Sequence, residues 1–70
     1  MIFEILTHDQ VEFNGLTYER YLIGSGPERG LLNLEGEWFR YTRDWFQPPV
    51  IQKYIGSVNF DGLVMVLDNY

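Results

Sequence analysis

Residues 11–18, VEFNGLTY, place Asn14 and Gly15 between two apolar flanks. The same arrangement recurs in residues 31–39, LLNLEGEWF, and in residues 57–67, SVNFDGLVMVL. Asn-Gly and Asp-Gly pairs favour type I′ hairpin turns, because both central residues of such a turn need a positive φ. The Glu-Gly pair of the second stretch is a weaker signal of the same kind. The sequence therefore predicts three β-hairpins.

The register of each hairpin follows from its turn. If the loop has two residues, residues equidistant from it lie opposite each other and share one face of the sheet. The predicted pairs are Phe13 with Leu16, Val11 with Tyr18 and Asp9 with Arg20 in the first hairpin, Leu32 with Phe39 and Asn33 with Trp38 in the second, and Phe60 with Leu63 and Val58 with Met65 in the third. Asp9 and Arg20 are expected to form a cross-strand ion pair. All three registers produce an apolar face, which supports the hairpins.

Two apolar segments near the ends of the chain are predicted to pair with each other. Residues 63–67, LVMVL, are apolar on both sides of a strand, which is typical of a central strand covered twice. Residues 2–6, IFEIL, are similar. Joining the first strand to the last would remove exposed edges, as small barrels do.

One segment, residues 46–56, departs from strand alternation. Its apolar positions follow helical spacing, and they are Val50, Ile51, Tyr54 and Ile55. Two Pro suit the first turn of a helix, and Gly suits the position after its end. The expected fold is therefore mainly β, a single domain over residues 1–70. It is an antiparallel sheet or barrel of three hairpins plus an N-terminal strand, with one short helix or 3₁₀ turn near residues 48–55.

The charge of the chain favours some partners over others. Ten acids against five bases give a net charge of −5. Residues 1–19 contain no Lys or Arg, and their acids, which we interpret as an acidic face, are Glu4, Asp9, Glu12 and Glu19. Negative charge disfavours nucleic acid and anionic membranes and favours a basic protein surface. The first residues have neither a basic region nor a long apolar stretch, so we expect no membrane segment and a cytoplasmic location.

Catalytic and metal-binding groups are scarce. The only His is His8, and neither Ser25 nor Ser57 lies in a nucleophile motif. With no Cys and with scattered acids, the sequence lacks the ligand sets of zinc and calcium sites. Residues 24–30, GSGPERG, are rich in Gly but precede a predicted strand, whereas a phosphate loop opens a helix. We therefore expect no enzyme activity, no cofactor and no metal.

Residues 37–49, EWFRYTRDWFQPP, contain the densest group of aromatic and Arg side chains. On strand alternation Phe39 and Tyr41 point to the core, whereas Trp38 and Arg40 point to the other side. In one interpretation the small core needs Trp38 for itself and Arg40 pairs with a nearby Glu, either Glu35 or Glu37. In the other, the following residues form a partner-binding patch: Trp38, Arg40, Arg43 and Trp45.

Two functions from different classes remain open. The first is a small acidic, non-enzymatic protein that binds another protein as a regulator, adaptor or inhibitor. Its sharper form is a viral inhibitor that presents the acidic face to a basic groove. The second is a small barrel that binds single-stranded nucleic acid. Its stacking and phosphate-binding residues would be Trp38, Tyr41, Trp45, Arg20, Arg40 and Arg43. A homodimer through an exposed sheet edge is an additional alternative.

Overall fold

The computed structural model describes residues 1–24, 29–44 and 46–69. These residues form seven strands: β1 (Ile2–Phe13), β2 (Leu16–Ile23), β3 (Arg29–Leu34), β4 (Glu37–Asp44), β5 (Gln47–Lys53), β6 (Gly56–Asp61) and β7 (Val64–Asn69). They make one antiparallel sheet in the order β5-β4-β3-β2-β1-β7-β6. The predicted mainly-β antiparallel fold is confirmed. Within the described ranges, the structure contains no helix with the length and apolar character that crossing a bilayer demands.

The first two hairpins have the predicted registers. Asn14 has a φ of 51° and Gly15 a φ of 79°, and Glu35 and Gly36 have φ values of 51° and 84°, as type I′ turns require. The confirmed pairs are Phe13 with Leu16, Val11 with Tyr18, Asp9 with Arg20, Leu32 with Phe39 and Asn33 with Trp38. The weaker Glu-Gly signal therefore marks a turn of the same type as Asn-Gly.

The predicted register of the third hairpin is wrong. Phe60 lies opposite Met65, because the two loop residues are Gly62 and Leu63 rather than Asp61 and Gly62. The positive φ of 65° at Gly62 occupies the first loop position, where a type II′ turn needs Gly. Each β6 residue therefore lies opposite a β7 residue two positions later than predicted. Because side chains alternate with a period of two, Phe60 and Met65 still share the apolar face. Leu63 lies exposed in the loop.

The predicted helix near residues 48–55 is also wrong, since β5 pairs with β4 along this segment. The register of β4 against β5 shifts between Thr42 and Asp44, so the two Pro lie beside a bulge on an edge strand. Pro is tolerated at such a place because its missing N–H interrupts no ladder. The four apolar residues whose spacing suggested a helix do not share one face. Ile51 packs on one side of the sheet and Tyr54 on the other, whereas Val50 and Ile55 are exposed.

The first strand pairs with the last, as predicted. Ile2 lies opposite Val66, and Phe3 lies opposite Met65. The described strands still leave two free edges, because the order of the sheet begins at β5 and ends at β6.

Two apolar clusters lie on opposite faces of β3. The first cluster is built on the buried residues Tyr18, Leu32 and Tyr41, and the second on Ile23, Leu31 and Met65. A bulge at Leu6 allows β1 to contribute to both clusters, because one extra residue moves the following side chains to the other face. Phe3 and Ile5, before the bulge, pack on the second cluster. Val11 and Phe13, after it, pack on the first.

Candidate protein-binding face

Strand alternation collects a group of polar and aromatic side chains on the face of the second cluster. Glu19 of β2 lies opposite Asn33 of β3, which lies opposite Trp38 of β4. On β1, His8 lies opposite Tyr21. We call the resulting surface the aromatic–acidic patch, and its residues are His8, Gln10, Glu12, Glu19, Tyr21, Trp38 and Phe60.

The aromatic side chains of this patch contact each other. The ring centroids of Tyr21, Trp38 and Phe60 are 5.3 to 5.9 Å apart, and the His8 ring stacks on Tyr21 at 4.1 Å with an interplanar angle of 15°. Such distances are those of aromatic pairs in contact, so no group of a partner fits between the rings. Phe60 is 49% exposed, and Trp38 is partly buried against the second cluster. A partner would therefore lie across the rings.

The carboxylate of Glu19 is held beside the rings by two side chains. Gln10 Nε2 donates a hydrogen bond of 2.9 Å to Glu19 Oε1, and His8 Nε2 lies 2.7 Å from Oε2. These two contacts, with that of Gln10 the stronger, hold the pKa of Glu19 below its usual value. Burial, and secondarily the charge of Glu19, raises the pKa of Tyr21. The Glu19 carboxylate therefore stays ionised and oriented at neutral pH.

The predicted aromatic and Arg patch is described only in part. Trp38 and Arg40 lie on the face opposite Phe39 and Tyr41, as strand alternation predicted. Arg40 is exposed, and within the described residues it forms no ion pair with Glu35 or Glu37. Trp45 and the side chain of Arg43 lie outside the part of the chain that the structure describes.

The four predicted acids do not share one face. Glu12 lies with Glu19 on the aromatic–acidic patch, while Glu4 precedes the bulge on the side opposite the second cluster. Asp9 lies on the face of the first cluster, where Arg20 Nε donates a hydrogen bond of 2.8 Å to Oδ1. This confirms the predicted ion pair. The hydrogen bond from Arg20 lowers the pKa of Asp9.

Two residues of the nucleic-acid alternative are engaged in the first cluster. Tyr41 is 3% exposed, so it has no free face for a base to stack on. The guanidinium of Arg20 is bonded to Asp9 and lies 5.7 Å from the centre of the Tyr41 ring. Of the six residues named for nucleic acid, Trp38 and Arg40 remain accessible within the described ranges.

Sequence reasoning missed four residues of the patch: His8, Gln10, Tyr21 and Phe60. Extending the register of the first hairpin pairs His8 with Tyr21 and Gln10 with Glu19, so three of them could have been found. The sequence contains no such signal for Phe60. It reaches the patch because the β6–β7 hairpin folds over β2 and β4, which no local pattern encodes.

The face of the second cluster also holds two buried polar atoms without a hydrogen-bond partner among the described residues, Asn33 Oδ1 and Tyr54 Oη. Over those same ranges, no group of three His, Cys, Asp or Glu is arranged to hold a metal ion. Comparison with protein-family models, with curated proteins and with solved structures found no match.

Proposed function

We propose that this protein acts by binding another protein, as a regulator, adaptor or inhibitor, and catalyses no reaction itself. The aromatic–acidic patch is the contact surface in this proposal. The observation that carries it is the Glu19 carboxylate, oriented by Gln10 and His8, beside a partly exposed cluster of rings. Aromatic side chains next to a fixed charge are typical of interface hot spots.

The chemistry of the patch favours a basic group on the partner. A guanidinium can stack on an aromatic ring while it donates hydrogen bonds to a carboxylate. This patch offers aromatic rings and the Glu19 carboxylate side by side. Glu12 adds a second negative charge on the same face, and the exposed Arg40 lies two residues from Trp38 on that face of β4. We therefore expect an Arg or Lys of the partner beside apolar side chains, with an acidic group positioned toward Arg40.

The protonation state of Glu19 supports binding over catalysis. A general acid or base works best when its pKa is near the working pH. The pKa of Glu19 is lowered instead, so its carboxylate accepts hydrogen bonds and is a poor proton donor at neutral pH. A fixed anion of this kind is suited to recognising a cation.

A titration with a small probe tests the patch directly. The probe is the blocked tripeptide Val-Arg-Val, followed by ¹H–¹⁵N correlation spectra of the protein. We expect chemical-shift changes at Glu19, Tyr21 and the Trp38 indole. The Glu19→Gln variant should weaken binding about tenfold, because it removes the charge and keeps the shape. Glu4→Gln makes the same charge change away from the patch and should leave the affinity unchanged.

The contradicting outcomes are equally concrete. If Glu4→Gln and Glu19→Gln weaken the probe equally, net charge rather than the patch binds it, and the proposed site is wrong. Salt-sensitive, saturable binding of oligothymidylate that is lost in Arg40→Ala would replace the proposal with the nucleic-acid alternative. Trp38→Ala is a poor test, because removing a ring from the second cluster also destabilises the fold.

A further inference from the structure

The free edge of β6 presents unpaired backbone groups. In a hairpin with a two-residue loop, the residues that flank the loop form a hydrogen-bonded pair, and hydrogen-bonded positions then alternate along the strand. Asp61 and Val64 flank the loop here. The N–H and C=O groups of Ser57, Asn59 and Asp61 therefore face β7. Those of the alternate residues Gly56, Val58 and Phe60 face away from the sheet.

The pairing of β7 with β1 agrees with this assignment. The Leu67 N–H donates to Met1 O, and the terminal amine of Met1 donates to Leu67 O, both at 2.8 Å. Leu67 is thus turned toward β1, so its neighbours Val66 and Asp68 are turned toward β6. These two residues lie opposite Asn59 and Ser57, the residues assigned to face β7.

The two free edges of the sheet differ in how they are protected. At β5, two Pro and a bulge interrupt the edge, and Lys53 adds a charge. Natural proteins use these devices to prevent strand addition. β6, with the sequence GSVNFD, contains no Pro, its pairing with β7 shows no shift of register, and its one charged residue is Asp61 at the end of the strand. Asn59, Phe60 and Asp61 are exposed, so this end of the strand is open to solvent.

We propose that β6 pairs with the β6 of a second copy of this chain, antiparallel, about a two-fold axis at Val58. In this register Val58 lies opposite the same residue of the second copy, and Phe60 lies opposite Gly56. Asp68 O and the Tyr54 ring of the same chain fill the space where a Gly56 Cβ would lie, so the half-exposed Phe60 ring of the second copy meets no side chain of its cross-strand partner. A two-fold interface requires such self-complementarity.

The register brings no like charges together. Asp61, the only charged residue of β6, lies opposite Ile55 of the second copy, which is 63% exposed in the single chain. Asn59 lies opposite Ser57, so an amide faces a hydroxyl on the outer side. The backbone groups of Gly56, Val58 and Phe60 all find partners, since each hydrogen-bonded pair exchanges two bonds.

The strength of this dimer and its response to salt follow from its size and charge. A strand of six residues is about 20 Å long, and its pairing buries less than the roughly 1,600 Å² of a standard interface. The dimer therefore forms at high protein concentration. Each copy carries a net charge of −5, so screening of the repulsion strengthens the dimer. Binding of a basic partner to the patch has the opposite salt dependence.

Sedimentation equilibrium tests the dimer on the intact chain. Over protein concentrations from about 10 µM to about 1 mM, the range of weak interfaces, the average mass should rise from 8.3 kDa toward twice that value. The rise should be steeper in high salt. A single-chain mass throughout, including at high salt, overturns the inference.

Backbone methylation identifies the edge that is used. Chemical synthesis with an N-methyl group on Val58 keeps every side chain and removes a donor that points away from β7. We expect the dissociation constant to increase at least about tenfold. The matched control is N-methyl-Lys53 on β5, whose N–H faces away from β4 because the next residue, Tyr54, donates to Trp38 O at 2.8 Å. This control should leave the dimer intact.

Each other result contradicts the proposal. Loss of the dimer with N-methyl-Lys53 would assign it to β5, and a dimer insensitive to both methyl groups would assign it to an outer face. Unchanged near-ultraviolet circular dichroism verifies that both methylated chains fold. The inference does not rest on the proposed function, since Glu19→Gln should weaken the tripeptide and leave the dimer unchanged.

Discussion

Leu31 and Leu32 are neighbours on β3 and are almost equally buried, at 3% and 0% exposure, yet they face different environments. Leu32 packs in the first cluster, whose open side is bordered by the Asp9–Arg20 ion pair. Leu31 packs in the second cluster, whose rings are partly exposed, and the same face holds two buried polar atoms that have no hydrogen-bond partner among the described residues. The first cluster is thus bordered by two charged groups that bond each other, whereas the second is bordered by partly exposed aromatic rings.

Substitution of these two Leu separates the clusters most clearly. Leu32→Ala should lower the free energy of unfolding by about 4 kcal/mol, because Leu32 is fully buried and its loss leaves a cavity in the first cluster. A domain of this size has little more than that in total, so this variant should be largely unfolded. Leu31→Ala should lower it by about 2–3 kcal/mol, since the partly exposed rings can move inward. Urea denaturation followed by far-ultraviolet circular dichroism measures both, and a larger loss for Leu31→Ala would reverse the comparison.

Gly56→Ala examines how tightly the second cluster is joined to β6. A Cβ at Gly56 would clash with Asp68 O and lie 2.8 Å from the Tyr54 ring, so the backbone must shift. We expect a loss of about 1–3 kcal/mol in unfolding free energy, with altered near-ultraviolet circular dichroism from the rings. Ser57→Ala is the control and should change stability by less than about 0.5 kcal/mol. No effect of Gly56→Ala would mean that β6 is loosely attached.

The pH dependence of stability distinguishes the borders of the two clusters. The Asp9 carboxyl has a folded pKa below its unfolded value of about 3.9, so its stabilisation is present above that value and is lost as the pH falls through the folded pKa. Asp9→Asn should make the free energy of unfolding less dependent on pH in the acid range. At neutral pH it should lower that free energy by at most about 1 kcal/mol, the range of surface ion pairs. Glu19→Gln should act in the same direction, because the pKa of Glu19 is also lowered.

Urea midpoints measured between about pH 2 and pH 7, a range that contains ordinary carboxyl pKa values, provide the profile. Parallel profiles for the parent chain and Asp9→Asn would show that the ion pair bordering the first cluster contributes nothing.

The smallest expected effect comes from the turn that joins β3 to β4. Glu35 has a φ of 51°, a conformation that Asn adopts more readily than Glu. Glu35→Asn should raise the free energy of unfolding by roughly 0.5 kcal/mol. Both Leu substitutions repeated in this background should keep their difference, because the turn supports both faces of β3 equally. A changed difference would mean that the turn is coupled to only one cluster.

Much of the fold could be predicted because the turns carry local information. Asn14-Gly15 and Glu35-Gly36 determine two registers, and these in turn place Trp38 and Arg40 opposite Phe39 and Tyr41. The Asp-Gly pair misled because the same letters also suit a type II′ turn one residue later, with Gly62 first. The Pro pair misled because a free sheet edge tolerates Pro as well as a helix start does.

The candidate site was less accessible to prediction. Its polar half depends on the register of one hairpin, so Glu19, Gln10 and His8 follow from pairing rules. Its aromatic half depends on a hairpin distant in sequence folding over β2 and β4, which brings Phe60 to Trp38. Strand alternation separates Asp9 from Glu12, whereas the separation of Glu4 from Glu12 depends on the bulge at Leu6, which no residue type predicts.

The bulge at Leu6 also has a consequence for the order in which the strands pair during folding. Residues 7–13 pair with β2, which follows at once, so this part of the sheet forms between neighbours in sequence. Residues 2–4 pair with residues 64–66, and closing so long a loop is slow. The meander from β1 to β5 can therefore form by pairing between neighbours in sequence before residues 2–4 pair with β7.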